Sequence, residues 1–397
     1  MSAPLARRLA DLPPVDGARI KERAGDFLVE ELPLYEPSGE GEHHYPRSQK
    51  QDHPHQDRVA VLSAHFGVGP QAIGTAGMKD RCAVTSQTVS VHLPRRPELR
   101  SIQDDRIQVL WATWHVNKLR RGHLAGNRFS IRVRGLEPFR APAVWRGIRA
   151  LEAHGVPNGF GPQRFGMRGD NHLLGAMILQ DRIGELADLL CGESMAGTVE
   201  GRRAAAARAR GADAAATVRA VPPPTRELWL DAWQSAVFNR VLDARIADGT
   251  LDRVLPGDVA VKHPNGAMFL VDDAAMAEEG DRAPDARAAR FEISATGPLP
   301  GPDAMRASGA VAEAERAAIA GTGVDPARLE RAGMRPSGDR RPVRVRLSNP
   351  ELESGFDEHG PYVRVAFDLP PGAYATVVLR EALGDGLVDA SREAARS

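Results

Sequence analysis

At 397 residues the chain is long enough for two domains, each with its own core, and its apolar content is an ordinary 42%. No run of about 18 apolar residues predicts a membrane-spanning helix, the opening MSAPLARRLADLPP lacks the apolar centre of a secretory signal, and two cysteines, Cys82 and Cys191, are too few for a disulfide framework or a zinc knuckle. Net charge is zero, yet thirteen Lys or Arg stand against four acids between Arg95 and Arg149, while acids gather in VDDAAMAEEGD (271–281). Segregation of this kind predicts either a basic face on a neutral protein or an arginine-rich solvated surface. A soluble cytosolic protein is the expectation.

In chain order, His43, His44, His53 and His55 invite a metal reading. However, HPH has one-residue spacing rather than the i, i+4 of a zincin helix, so loop histidines are the better assignment and no metal is expected. GVGPQAIG (67–74) lacks the Lys-Ser/Thr of a phosphate-binding loop. TAGMKDRCAVTSQTVSV (75–91) sets Lys79, Asp80 and Arg81 between a glycine turn and an alternating run over 84–93, with Val89, Val91 and Leu93 apolar. A carboxylate among cations at the start of a strand is a nucleophile, a base or an ion pair. NRFSIRVRG (127–135) alternates Phe129, Ile131 and Val133 with polar residues and predicts a strand.

The middle of the chain reads as helical. RRAAAARARGADAAATVRA (202–220) predicts a surface helix or loop without chemistry. Trp229, Trp233, Val237 and Val241, widened by Phe238 and Leu242, form the apolar stripe of a helix over 226–246. ATGPLPGPDAMR (295–306) reads as a boundary. PVRVRLSN (342–349) and PYVRVAFDL (361–369) alternate again, with Val343, Val345, Leu347 and Val363, Val365, Phe367 apolar. Strands at both ends around a helical middle predict one α+β domain built from both termini and a second domain inserted into it.

Seven strings in order carry a resemblance: KERAGDFLVEE (21–31), GEGEHH (39–44), AGMKDRCAVTSQ (76–87), GHLAGNRFSI (122–131), GVPNGFGPQRFG (155–166), SAVFNRVL (235–242) and LPPGAYATVVLRE (369–381). Together they resemble the TruD family of tRNA pseudouridine synthases over most of the chain. The pattern departs at Gly159 and Pro162, and at DHPHQDRV (52–59), where the family usually has an Asn-Thr pair. The resemblance implies an α+β fold: a pseudouridine-synthase domain from 1–154 and 304–397, with a mixed, largely antiparallel sheet, and an inserted TRUD domain from 155–303.

The implied reaction isomerises uridine in tRNA, most simply at position 13 as the family name says. The glycosidic bond breaks, the base turns and C5 rejoins the ribose. No redox cofactor or metal is needed, and one ionised carboxylate suffices. The resemblance assigns it to Asp80, which either attacks C1′ or takes the C2′ proton.

Neighbouring strand side chains point to opposite faces, so Lys79 is poorly placed to serve Asp80. Lys21 is the candidate for holding it ionised; an exposed lysine is the alternative. Phe27 and Tyr374 stand at aromatic positions suited to stacking on an extruded base, and Asn127 offers donor and acceptor to a uracil edge unless it is a turn residue before its strand. Lys79, Lys118, Arg120 and Arg121 suit phosphate contacts.

Two other readings stay open. One is a non-catalytic RNA-binding protein of the same fold, and the other a nucleoside hydrolase that cleaves without rejoining. tRNA is the expected partner, a monomer the expected state.

Overall fold

Alternation at both ends of the chain becomes one mixed sheet. The computed structural model describes residues 6–394 except 52–54, 78–82, 96–101, 103, 105–106 and 331–335. The chain divides into two compact units: Leu9–Val156 with Val345–Ser397, and Met1–Arg8 with Pro157–Arg344.

In the first unit, seven strands form the main path of the sheet. They are β1 (Phe27–Pro33), β2 (His43–Gln51), β3 (Val84–His92), β4 (Ile107–His115), β5 (Leu124–Arg134), β6 (Ser348–Asp357) and β7 (Gly360–Leu369), in the order β6-β7-β5-β1-β3-β2-β4. β1 and β3 run parallel and the other neighbours on this path antiparallel, so the fold is α+β with a mixed sheet drawn from both termini.

Strand period two puts Phe27, Val29 and Glu31 on one face of β1, opposite Ile131, Phe129 and Asn127 of β5. The apolar members of this face are buried with Val363, Val365 and Phe367 of β7 and with the helices Ala141–His154 and Ala375–Leu383. Removing such side chains from water is the main stabilising term, about 1.5–3 kcal/mol for each large apolar side chain. A second cluster, Leu62, Val89, Val91 and Leu93, lies beneath the helix His55–Phe66.

The second unit is largely helical, with a four-stranded sheet. The expected helix over 226–246 runs Pro223–Ala247 and buries all six stripe residues.

The Ala/Arg run forms the helices Val199–Ala209 and Ala214–Arg219, largely solvent-facing as its sequence predicts, with Ala204, Ala207, Thr217 and Val218 turned inward. Three expectations need correction. The Pro/Gly stretch at 295–306 begins inside a buried strand, Ile293–Leu299. Gly297 is required there, since an added Cβ would lie 2.9 Å from the Phe238 ring. That strand pairs with Asp339–Pro342, so residues 304–344, grouped with the termini in the sequence reading, lie within the second unit. Finally, the expected strand 342–349 is interrupted: Arg344–Val345 is one short strand and β6 begins only at Ser348, where Asn349 takes φ 50°.

Candidate active site

The segment 78–82 lies outside the described residues, and with it Lys79, Asp80, Arg81 and Cys82. Its two ends are placed, however. Ala83 is fully buried at the foot of β3, and Gly77 is held by its carbonyl, which accepts from Gln87 Nε2 at 2.6 Å. The same amide nitrogen donates to Glu31 Oε2 at 3.0 Å, and Gln87 Oε1 accepts from Arg58 Nη1 at 3.0 Å. Arg58 Nη2 adds a bond to the Thr85 carbonyl at 3.3 Å.

This chain of contacts, Glu31–Gln87–Arg58, is buried throughout. Burial pushes the Arg58 guanidinium down to about 10, with Glu31 pulling the other way. Arg58 Nε has no hydrogen-bond partner among the described residues, so the network is satisfied only in part, and Gln87 gives it one attachment outside itself. Here the attachment is Gly77, the last described residue before the Asp80 segment.

The sequence reading quoted Glu31 and Gln87 only as motif letters and missed Arg58. A usable signal was present: alternation in FLVEE and VTSQTVSV turns Glu31 and Gln87 inward, where an acid and an amide need partners.

Register carries this polar row onward. Glu31 of β1 stands directly opposite Asn127 of β5, and Asn127 opposite Leu369 of β7. Asn127 is therefore inside its strand, not a turn residue ahead of it.

Lys21 is buried rather than exposed. Its backbone takes φ 58°, an uncommon left-handed conformation for a long side chain, and its Nζ lies 4.5 Å from the centre of the Phe27 ring and 3.7 Å from Asp389 Oδ2. Phe27 is itself only 1% exposed, covered by Lys21 and set edge-on to Phe129 with ring centres 6.3 Å apart. Tyr374, half-buried, precedes the helix Ala375–Leu383 and packs against the core that contains Phe27. Lys21, Phe27, Asn127 and Tyr374 thus belong to one unit, around one face of one sheet.

The basic loop 118–123 joins β4 to β5. Lys118 Nζ donates to the Gln71 carbonyl at 2.5 Å, whereas Arg120 and Arg121 point into solvent. Leu119 N donates to Ser90 Oγ at 3.0 Å, and Gly122 N to the Ala76 carbonyl at 2.9 Å. Gly74 is what allows the loop so close, because a side chain there would strike the Leu119 carbonyl. The loop is therefore tied to the strand leading into the 78–82 segment.

His43 stacks on His92, with ring centres 4.9 Å apart, and His44 is buried against Trp114 and Phe66. Among the described residues no group of three or more His, Cys, Asp or Glu is arranged to hold a metal ion, and no helix is long and apolar enough to cross a membrane.

The TruD family profile, described as tRNA pseudouridine synthase D, matches residues 7–216 and 204–382. Among curated proteins, tRNA pseudouridine synthase D of Geobacter metallireducens is 40% identical over 405 residues, covering 95% of this chain and 97% of that one. The Geobacter sulfurreducens protein of the same name is 39% identical, with 93% and 95% covered. Among solved structures, a crystal structure assigned to tRNA pseudouridine synthase D (TruD) from Methanosarcina mazei aligns with a TM-score of 0.76 at 25% identity, over 96% of this chain and 98% of that one. Sequence and fold agree along almost the whole length, and the chain belongs to the TruD family of tRNA pseudouridine synthases, a family of isomerases.

Proposed function

We propose that this chain converts a uridine of tRNA to pseudouridine, at position 13, with the Asp80 carboxylate acting at C1′ or C2′ of a nucleotide swung out of its helix. The observation that carries the reading is the full-length family match together with the intact AGMKDRCAVTSQ string (76–87), in which Asp80 is the acid. The buried Glu31–Gln87–Arg58 network supports it, since it holds Gly77, the last described residue before Asp80 in that string.

On this reading the unit of 9–156 with 345–397 is the catalytic domain, and the unit of 157–344 is the inserted TRUD domain. Lys21 holds negative charge in place near the Phe27 ring. Asn127, in line with Glu31, reads the uracil edge, Tyr374 is the accessible aromatic that stacks on the base, and Phe27 lies buried beneath the Lys21 ammonium. Lys118, Arg120 and Arg121 contact phosphates, as does Lys79.

The test is incubation of wild type and Asp80→Asn with unmodified tRNA, followed by carbodiimide mapping of pseudouridine. Signal from wild type and none from the variant is the expected result. Equal signal removes Asp80 from the reaction. Binding without signal from wild type makes the chain a non-catalytic RNA-binding protein, and free uracil among the products makes it a hydrolase.

A further inference from the structure

A cavity of ≈ 340 Å³ lies on the face of the sheet that carries Glu30, Arg47 and Thr88, with Glu31 also in its lining. Its floor is a rung across three strands: Trp111 of β4, Arg47 of β2 and Thr88 of β3 are direct neighbours in register. Its wall is Tyr35, whose hydroxyl lies 3.0 Å from His123 Nδ1 and whose ring stacks on His115 with centres 5.2 Å apart. Arg47 is almost wholly buried, its guanidinium pinned by the Glu31 carbonyl at 3.1 Å and Glu30 Oε1 at 2.7 Å. Trp111, by contrast, is 41% exposed. Trp111, left open beside the buried and pinned Arg47, offers one stacking plane to a flat partner.

Charge decides what kind of partner fits. Glu30 and Glu36 lie on the lining, so a phosphate is disfavoured inside. The loop 118–123, which contributes Leu119 and His123 to the lining, also carries the solvent-exposed Arg120 and Arg121. Arg47 in the floor is paired with Glu30, so no free cation is offered within among the described residues, and the exposed cations sit on the adjoining loop: this suits an unstacked base whose sugar-phosphate stays outside. The volume is in the range of small-ligand pockets and accommodates a single base with its ribose at the mouth.

We propose that this cavity takes one unpaired base of the substrate RNA, a second base besides the uridine that is isomerised, stacked on Trp111 with its backbone on the Arg120–Arg121 loop. The proposal rests on the tRNA-modifying reading for the nature of the ligand. Its consequence is that substrate choice depends on two extruded nucleotides, not one.

The experiment is a cycle measured as equilibrium binding, so that it does not depend on turnover. Kd is determined by filter binding for wild type, Trp111→Ala and Trp111→Phe. The probes are an unmodified tRNA transcript and a set of transcripts carrying a single abasic nucleotide at successive positions around the target. Trp111→Ala is expected to weaken binding of the intact transcript roughly 5- to 100-fold, with Trp111→Phe nearly restoring it. At one position, removing the base is expected to cost wild type the same factor and to cost Trp111→Ala nothing more.

An unchanged melting temperature for Trp111→Ala is part of the expected result. Losses that multiply at every position, or an unaltered Kd for Trp111→Ala, overturn the proposal. Absence of pseudouridine from wild type overturns the proposed activity and leaves this binding cycle to be judged on its own result.

Discussion

Arg134 grips Asp26 through two nitrogens, Nη2 to Oδ1 at 2.5 Å and Nε to both oxygens at 3.1 Å, and Asp26 is the residue immediately before Phe27. Its remaining donors reach Asp357, whose carboxyl is lowered to about 2, chiefly by the Arg134 hydrogen bonds. Both members of the first pair are almost fully buried. Arg134→Met leaves the Asp26 carboxylate without its charge partner and is expected to cost about 3–5 kcal/mol, more than Asp26→Asn, in urea denaturation. Arg134→Lys does not rescue, because one ammonium cannot replace a planar fork that serves two carboxylates.

Gln87→Leu removes one buried hydrogen-bond partner each from Glu31, Arg58 and the Gly77 carbonyl. A stability loss of about 2–4 kcal/mol is expected. Single-turnover pseudouridine formation is expected to fall more than tenfold, while tRNA Kd changes less than threefold. A parallel loss of binding and turnover shows that the network is a general scaffold rather than a support for the Asp80 segment.

His44 supplies a pH signature. Burial, reinforced by the nearby His65, lowers its pKa from 6.5 to about 4, and neither ring nitrogen has a hydrogen-bond partner. Because the unfolded chain takes up the proton first, stability is full above pH 6.5 and declines as pH falls toward 4. The expected loss from this group is roughly 3 kcal/mol. His44→Phe, set among Phe66 and Trp114, removes that part of the slope between pH 6.5 and 4 in thermal melts across a pH series.

The outline of the fold was readable because period-two alternation survives wherever one sheet face is covered: Ile131, Val133, Val363 and Val365 are all fully buried, as their spacing predicts. The site was readable only through short ordered strings, and its supporting contacts were not. Arg58 lies on a helix 29 residues before Gln87, and nothing local ties the two. The Ala/Arg run was readable as a surface helix, but its composition does not report which small side chains turn inward. The Pro/Gly stretch deceived because Gly297 marks a close approach to Phe238, which in sequence resembles a break.

Gly297→Ala tests that last point. The new methyl meets the Phe238 ring and is expected to destabilise the unit of 157–344 by about 1–3 kcal/mol. Phe238→Leu in the same chain is expected to recover part of the loss, giving a coupling energy of at least 0.5 kcal/mol in a double-mutant cycle.

Arg120 and Arg121 are exposed on their loop, so replacing both with Ala should leave melting unchanged. If each meets one phosphate, the slope of log Kd against log salt becomes shallower by about 1.4–1.8. An unaltered slope places the phosphate contacts elsewhere.

The central strand β5 pairs on one side with β1, already synthesised, and on the other with β7, which follows only after the whole of 157–344 has been made. A ribosome-bound chain therefore carries an open strand edge, bearing Phe129 and Ile131, until β7 (Gly360–Leu369) emerges. Arrest of translation in the helical middle thus leaves a fragment whose β5 lacks one of its two partner strands, the condition under which sheet edges pair with other chains.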